Sequence, residues 1–224
     1  MIEYFSILKK CVLFDGIDEC NLNALLNCLN AKVCFYQKNQ VIIAEGTPAK
    51  YFGIVLSGSV SITKFDYFGN KSIISVIEPP ELFGESFACA EADSVSVNVV
   101  ARSNSEILLL DCKKIIHSCS NACEFHSRII YNLLKILAEK NLKFNQKIEI
   151  TSKRTTREKL LTFLSFQAEK NSSNSFYIPF DRQALADYLQ VDRSGLSCEI
   201  SKLIKEGIIE SKRNYFKILD SKIR

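Results

Sequence analysis

What the chain has little of narrows its function first. It has two histidines in 224 residues, His117 and His126, both near one long helix-periodic stretch, so an acid–base pair for catalysis is hard to assemble. No G-x-S-x-G, H-E-x-x-H or phosphate-loop motif is present, and no G-x-G-x-x-G falls between a strand and a helix. The expectation is a protein that is not an enzyme. No apolar run approaches the roughly 20 residues that cross a bilayer. The opening MIEYFSILKKC lacks a basic segment followed by a signal-type apolar core. A cytoplasmic chain with no membrane partner is expected. The nine cysteines are odd in number and include no C-x-x-C pair, so reduced thiols are expected rather than structural disulfides.

What is present is organised in blocks. The net charge of +4 is unevenly spread: residues 151–224 hold 14 Lys and Arg against 9 Asp and Glu, a balance of +5, while residues 1–150 are near neutral. A polyanionic partner is therefore expected for the C-terminal third alone. Leu22, Leu25, Leu26 and Leu29 recur at helical spacing behind Asp18, which predicts a short amphipathic helix over 18–29. Between Lys32 and Asp111 the period changes. The runs QVIIAE, YFGIVLS, SVSITKF, KSIISVI, SVSVNVVA and EILLLD, separated by turn signals such as GTPAK, DYFGN and EPPE, predict an antiparallel barrel or roll. One short helix, over 83–91, interrupts it. After Cys112 the pattern is helical for about forty residues. Within it Ile130, Leu133, Leu137, Phe144 and Ile148 form a stripe near the 3.5-residue repeat, which a second copy of the chain or the roll itself could cover. TSKRTT at 151–156 reads as polar, uncapped and hinge-like, and FYIPF reads as an edge strand because Pro179 removes a ladder donor.

The segment DRQALADYLQVDRSGLSCEISKLIKEG carries the sharpest signal. It predicts two helices capped by Asp181 and Asp192, with Leu185, Leu189, Leu196, Ile200 and Leu203 inward and Gly207 as a stop. Two short helices joined by a tight turn form a helix-turn-helix, whose second helix enters the DNA major groove. Its outward face is Arg193, Ser194, Ser197, Cys198, Ser201 and Lys202. IIESKRNYFKIL then reads as a hairpin wing with Lys212 and Arg213 at the tip, suited to phosphate contact. Arg193, Ser194 and Ser197 are the candidate base readers, and Arg182, Gln183, Lys202, Lys212 and Arg213 the candidate phosphate contacts.

Together with LFDGIDECNLNALL, IIAEGTPAKYFGIVLSGSVSI and FGES, that segment makes nearly the whole chain resemble the CRP/FNR family of bacterial transcription regulators. The resemblance implies an α+β architecture: an effector-binding antiparallel β-roll over 1–118, a long dimerisation helix and hinge over 119–151, and a winged helix-turn-helix over 152–224. It further implies a homodimer on palindromic promoter DNA, with RNA polymerase as a partner. In members that bind cyclic AMP, a Glu in the short helix holds the ribose, an Arg about ten residues later neutralises the phosphate, and a Thr-Ser pair on the long helix meets the adenine. Gly84, Glu85 and Ser86 match the first of these. The Arg position falls on Val95, followed by Ser96, and the adenine contacts fall near Leu142 and Lys143. A valine cannot pair a buried phosphate, and an unpaired buried charge costs on the order of several kcal/mol. The implied effector is thus an unknown small molecule other than cyclic AMP. In many relatives the position of Cys198 holds an Arg that reads guanine; a cysteine cannot replace that fork, so a different half-site is implied.

Other roles for the cysteines stay open. Some relatives hold an iron–sulfur cluster on closely spaced N-terminal cysteines, but Cys11, Cys20, Cys28 and Cys34 are spaced too widely, and a role as buried small hydrophobes is expected. Cys112, His117, Cys119, Cys123 and His126 place five soft or borderline ligands within fifteen residues, a metal or haem candidate that matches no recognised spacing; no metal ligand is assigned. A redox- or metal-responsive regulator, with Cys198 as an oxidisable thiol at the DNA surface, and a ligand-binding module that docks on protein are the alternatives.

Overall fold

Two short helices, α1 (Phe5–Leu8) and α2 (Glu19–Cys28), open the chain, with a 3-10 turn at Val12–Phe14 between them. The computed structural model describes residues 4–65, 67, 71–116 and 124–219. Leu22, Leu25, Leu26 and Leu29 are all buried, so the leucine spacing forms the packing face it predicts. Among the described residues eight strands follow: β1 (Lys32–Tyr36), β2 (Val41–Ile43), β3 (Tyr51–Ser57), β4 (Val60–Phe65), β5 (Lys71–Ile77), β6 (Leu82–Phe83), β7 (Asn98–Ala101) and β8 (Ser105–Asp111). One helix, α3 (Glu85–Cys89), sits between β6 and β7. The strands pair antiparallel in two four-stranded sheets, ordered β1-β8-β3-β6 and β2-β7-β4-β5.

Strand alternation explains how the first sheet serves two cores. Phe52, Ile54 and Leu56 of β3 and Leu108 and Leu110 of β8 pack with the helical layer of α1 and α2. Their neighbours Val55 and Ile107 turn the other way and pack with Val60, Phe83 and Val99 inside the roll. Successive side chains of a strand point to opposite faces, so a run as apolar as YFGIVLS signals burial on both. Gly53 faces the same interior: a Cβ there would lie 2.2 Å from the Phe83 ring, so the strand passes the ring only as glycine.

The remaining helices are α4 (Cys112–Ile116), α5 (Glu124–Ser152), α6 (Thr156–Asn171), α7 (Arg182–Leu189) and α8 (Arg193–Lys205), with strands β9 (Ser175–Tyr177), β10 (Ile209–Lys212) and β11 (Tyr215–Ile218). The last three strands form an antiparallel sheet in the order β10-β11-β9, which makes β9 the edge strand that FYIPF predicts. The chain divides into two compact units, Met1–Glu139 and Lys140–Arg224. The first takes Ile129, Leu133 and Ile136 of α5 into its core. There the buried Asn132 is satisfied by donating to the carbonyls of Leu13 (3.0 Å) and Asp15 (2.9 Å). The second packs Ile150 with Leu160, Phe163, Leu164, Leu185, Leu189, Leu196, Ile200, Leu203 and Phe216.

Three expectations need revision. The stretch 151–156 is not uncapped: Thr155 accepts from the Glu158 N–H at 3.1 Å while the Glu158 carboxylate accepts from the Thr155 N–H at 3.0 Å, a reciprocal cap that starts α6. SVSVNVVA forms a strand only in its second half, because the loop before it bonds instead to 46–49, with Val95 exchanging bonds with Gly46 and Thr47 at 2.9 Å. The stripe on α5 is divided. Leu133 lies in the chain's own N-terminal core with Ile130 and Leu137 packed against that core, while Phe144 and Ile148 are 65% and 63% exposed.

Candidate functional site

The helix-turn-helix is built from local rules that the sequence states openly. Asp181 accepts from the Ala184 N–H at 2.8 Å and starts α7; Asp192 accepts from the Gly195 N–H at 2.9 Å and starts α8. Such caps satisfy amides that the helix itself leaves unpaired. Between the helices Gln190 takes a left-handed φ of 53°, which ends α7 and allows the tight turn. Leu185, Leu189, Leu196, Ile200 and Leu203 are buried as expected. Arg157 of α6 pins α8 in place, bonding Glu206 at 3.0 Å and Glu199 at 3.4 Å.

With its inner face anchored, α8 presents Arg193, Ser194, Cys198, Ser201 and Lys202 to solvent, with Ser197 half-buried among them. Arg193 makes no ion pair among the described residues, so its guanidinium is available to a partner. The serines are less free. The Ser194 hydroxyl donates to Asp192, and those of Ser197 and Ser201 donate back to the carbonyls of Arg193 and Ser197, both at 3.0 Å. Lys202 lies 3.5 Å from Glu199. The Ser194 hydroxyl, followed by the Gly195 N–H, holds the Asp192 carboxyl below the ordinary carboxylate range.

Two candidate phosphate contacts also have internal work. The Arg182 guanidinium lies 5.7 Å over the Phe216 ring and donates to the Arg213 carbonyl at 3.4 Å, so it supports the wing, and partial burial pulls its pKa down. The Gln183 amide donates to Asp187 at 2.9 Å. Lys212 and Arg213 are exposed at the end of the β10–β11 hairpin, where Arg213 adopts a left-handed φ of 55°. A cleft of about 470 Å³ opens between the wing and the start of α7, lined by Pro179, Phe180, Asp181, Arg182, Arg213 and Asn214. Its charged groups are the two arginines and the Asp181 carboxylate.

In the roll, Gly84 takes a left-handed φ of 79° at the start of α3. Glu85 is buried at 3% exposure and accepts from the Ser86 hydroxyl at 3.3 Å. Val95 is buried at 2% exposure and Ser96 is exposed. Leu142 is exposed and belongs to the other compact unit.

The cysteines part company with expectation in places. Cys11 is buried and its thiol is pushed up to about 11 by desolvation, as a small hydrophobe should be, but Cys20 and Cys28 are exposed and Cys34 is half-buried. Of the five grouped ligands, His117, Cys119 and Cys123 lie outside the described residues. His126 is buried with its Nε2 3.9 Å from the Cys28 sulfur, and Cys112 is buried beside Cys89. Among the described residues no three His, Cys, Asp or Glu side chains gather as a metal site, and no helix is long and apolar enough to cross a membrane.

A sensor-type roll in one unit and a capped winged helix-turn-helix in the other define an effector-domain regulator. Residues 33–121 match the cyclic nucleotide-binding domain, and residues 158–222 match the Crp-like helix-turn-helix domain. The chain belongs to the CRP/FNR family of transcription regulators. It is 22% identical over 190 residues to the transcriptional activator protein FnrL of Cereibacter sphaeroides, covering 80% of this chain and 73% of that one. It is 28% identical over 109 residues to mouse cGMP-dependent protein kinase 2, which covers 48% of this chain and only 14% of the kinase. Among solved structures, the catabolite activator protein of Thermus thermophilus shares the fold with a TM-score of 0.51 at 19% identity, covering 95% of each chain.

Proposed function

We propose that this protein is a homodimeric, sequence-specific DNA-binding regulator whose roll answers to a small molecule other than cyclic AMP. The observation that carries the reading is the doubly capped helix pair in a basic unit. It fixes the inner face of α8 and leaves Arg193, Cys198 and Lys202 outward, with the wing tip of Lys212 and Arg213 likewise exposed. Such a helix reads base edges from its first turns while flanking cations meet phosphates. The dimer seam is assigned to the exposed apolar residues of α5, Tyr131, Leu134, Leu142, Phe144 and Ile148, rather than to Leu133. Promoter DNA, a second copy and, through family resemblance, RNA polymerase are the partners.

The effector reading rests on Val95. At the place where the resemblance puts a phosphate-pairing Arg, the chain has a buried apolar side chain.

Selection of bound sites from random duplex DNA, with and without cell extract, tests the whole. The expected result is a palindromic consensus whose binding weakens steeply with salt, as release of counterions from phosphates requires. Salt-insensitive recovery with no consensus would favour a module that docks on protein.

A further inference from the structure

Cys89 closes α3 and Cys112 opens α4 directly after β8, and their sulfurs lie 3.0 Å apart. Both are free thiols, Cys112 fully buried and Cys89 half-buried. A disulfide has sulfurs about 2.0 Å apart, so this pair needs to close by only about 1 Å. The same two segments are already bridged by the ion pair of Glu91 and Lys113 at 2.9 Å. The Cys112 thiol, donating to the Cys89 sulfur, holds Cys89 below the usual thiol range against the opposing effect of burial and of nearby Glu85; Cys112, beside Cys89 and buried near Asp111 and Glu91, is pushed far up. Cys89 is the more accessible sulfur and Cys112 lies buried directly behind it, the arrangement of an attacking cysteine backed by a resolving one.

We propose that Cys89 and Cys112 form a redox-active dithiol that a hydroperoxide closes to an intramolecular disulfide, fastening α3 to the start of α4. The Cys89 thiolate attacks one peroxide oxygen; an S–O bond forms, the O–O bond breaks, and hydroxide or alkoxide leaves, taking up the proton Cys89 released to become water or an alcohol. Cys112 then attacks the Cys89 sulfur. The S–S bond forms, the S–O bond breaks, and hydroxide departs with the thiol proton as water. Two thiols lose two electrons and two protons, and the peroxide takes up both. The site is separate from Cys198, and it acts on the helix that carries Glu85 and Ser86. Its meaning for effector binding rests on the function proposed above, whereas its chemistry does not.

The test is thiol mapping of the full chain after hydrogen peroxide, followed by alkylation and digestion. The expected results are an intact mass lower by about 2 Da, as disulfide formation requires, a cross-linked Cys89–Cys112 peptide, and reversal by dithiothreitol. In Cys112→Ser, with no resolving thiol, Cys89 sulfenic acid trapped by dimedone should rise at least about tenfold over the parent. Because Cys112 is buried and its variant could misfold, the parent mapping stands by itself. Recovery of Cys89 and Cys112 as alkylated thiols while other cysteines oxidise, or a cross-link found only between chains, would overturn the proposal. Neither readout involves DNA, so a failure here is distinct from a failure to bind promoter sites.

Discussion

Asp192 caps α8 and orients the Ser194 hydroxyl, accepting through its carboxylate in both roles. With a folded pKa below the ordinary carboxylate value, the cap contributes stability that is fully present above the unfolded pKa of about 4 and is lost as pH falls through the depressed folded value. Melting of the full chain followed by circular dichroism from neutral pH downward should therefore show a steeper acid loss in the parent than in Asp192→Asn, which keeps an acceptor without the charge. Parallel curves would show that this carboxylate does not couple to folding. Next along the helix, Arg193→Ala should weaken binding to the selected site by at least about tenfold, in keeping with the cost of one lost Arg–guanine pair, and relax the preference at one position in each half-site; an unchanged consensus in mobility-shift titrations would move base reading elsewhere. Val95 makes the corresponding prediction in the roll: calorimetric titration with cyclic AMP should show no binding at micromolar concentration, and a micromolar isotherm would contradict the assignment.

At the scale of elements, the sequence was most legible where structure is decided within a few residues. Asp181, Asp192 and the leucine spacing specify α7 and α8 because caps and helical faces are local, and all five inward residues are buried. The Thr155–Glu158 cap was equally local, spelled T-x-x-E at 155–158, yet it lies inside a polar run that reads as hinge when taken by composition. Thr155→Ala should cost about 1 kcal/mol in urea unfolding of the full chain and speed amide exchange at Glu158; no change in either would mean that the box is idle. Contacts made across distance were not legible. The period of α5 marks an apolar stripe, but only the fold shows that Leu133 is covered by the chain's own core. The strands β1 and β6 have no counterpart among the runs that the residue pattern predicts, the latter because two residues are too short for any period to register. The Cys89–Cys112 approach joins positions 23 apart through the roll, and no spacing rule announces it.

For the whole molecule, the two compact units meet different physical demands. The C-terminal unit concentrates positive charge, with 17 Lys and Arg against 10 Asp and Glu, and exposes a cation-tipped wing; the N-terminal unit holds 12 against 15 and folds around a doubly apolar strand. The proposed dimer is where the molecule as a whole can be tested. Phe144→Glu combined with Ile148→Glu should shift sedimentation from dimer to monomer and abolish tight binding to palindromic sites while single half-sites still bind weakly. A double variant that sediments as a dimer would place the seam elsewhere on the chain.

The solvent-facing aromatic and aliphatic side chains along α5 have a consequence for dosage. A regulator whose subunits join through that face responds to its own abundance by mass action: while single chains predominate, the concentration of paired chains rises as the square of the amount synthesised. Promoter occupancy would then change more steeply than expression of the gene itself, and any small molecule that favours pairing would move the threshold without altering how α8 reads its bases.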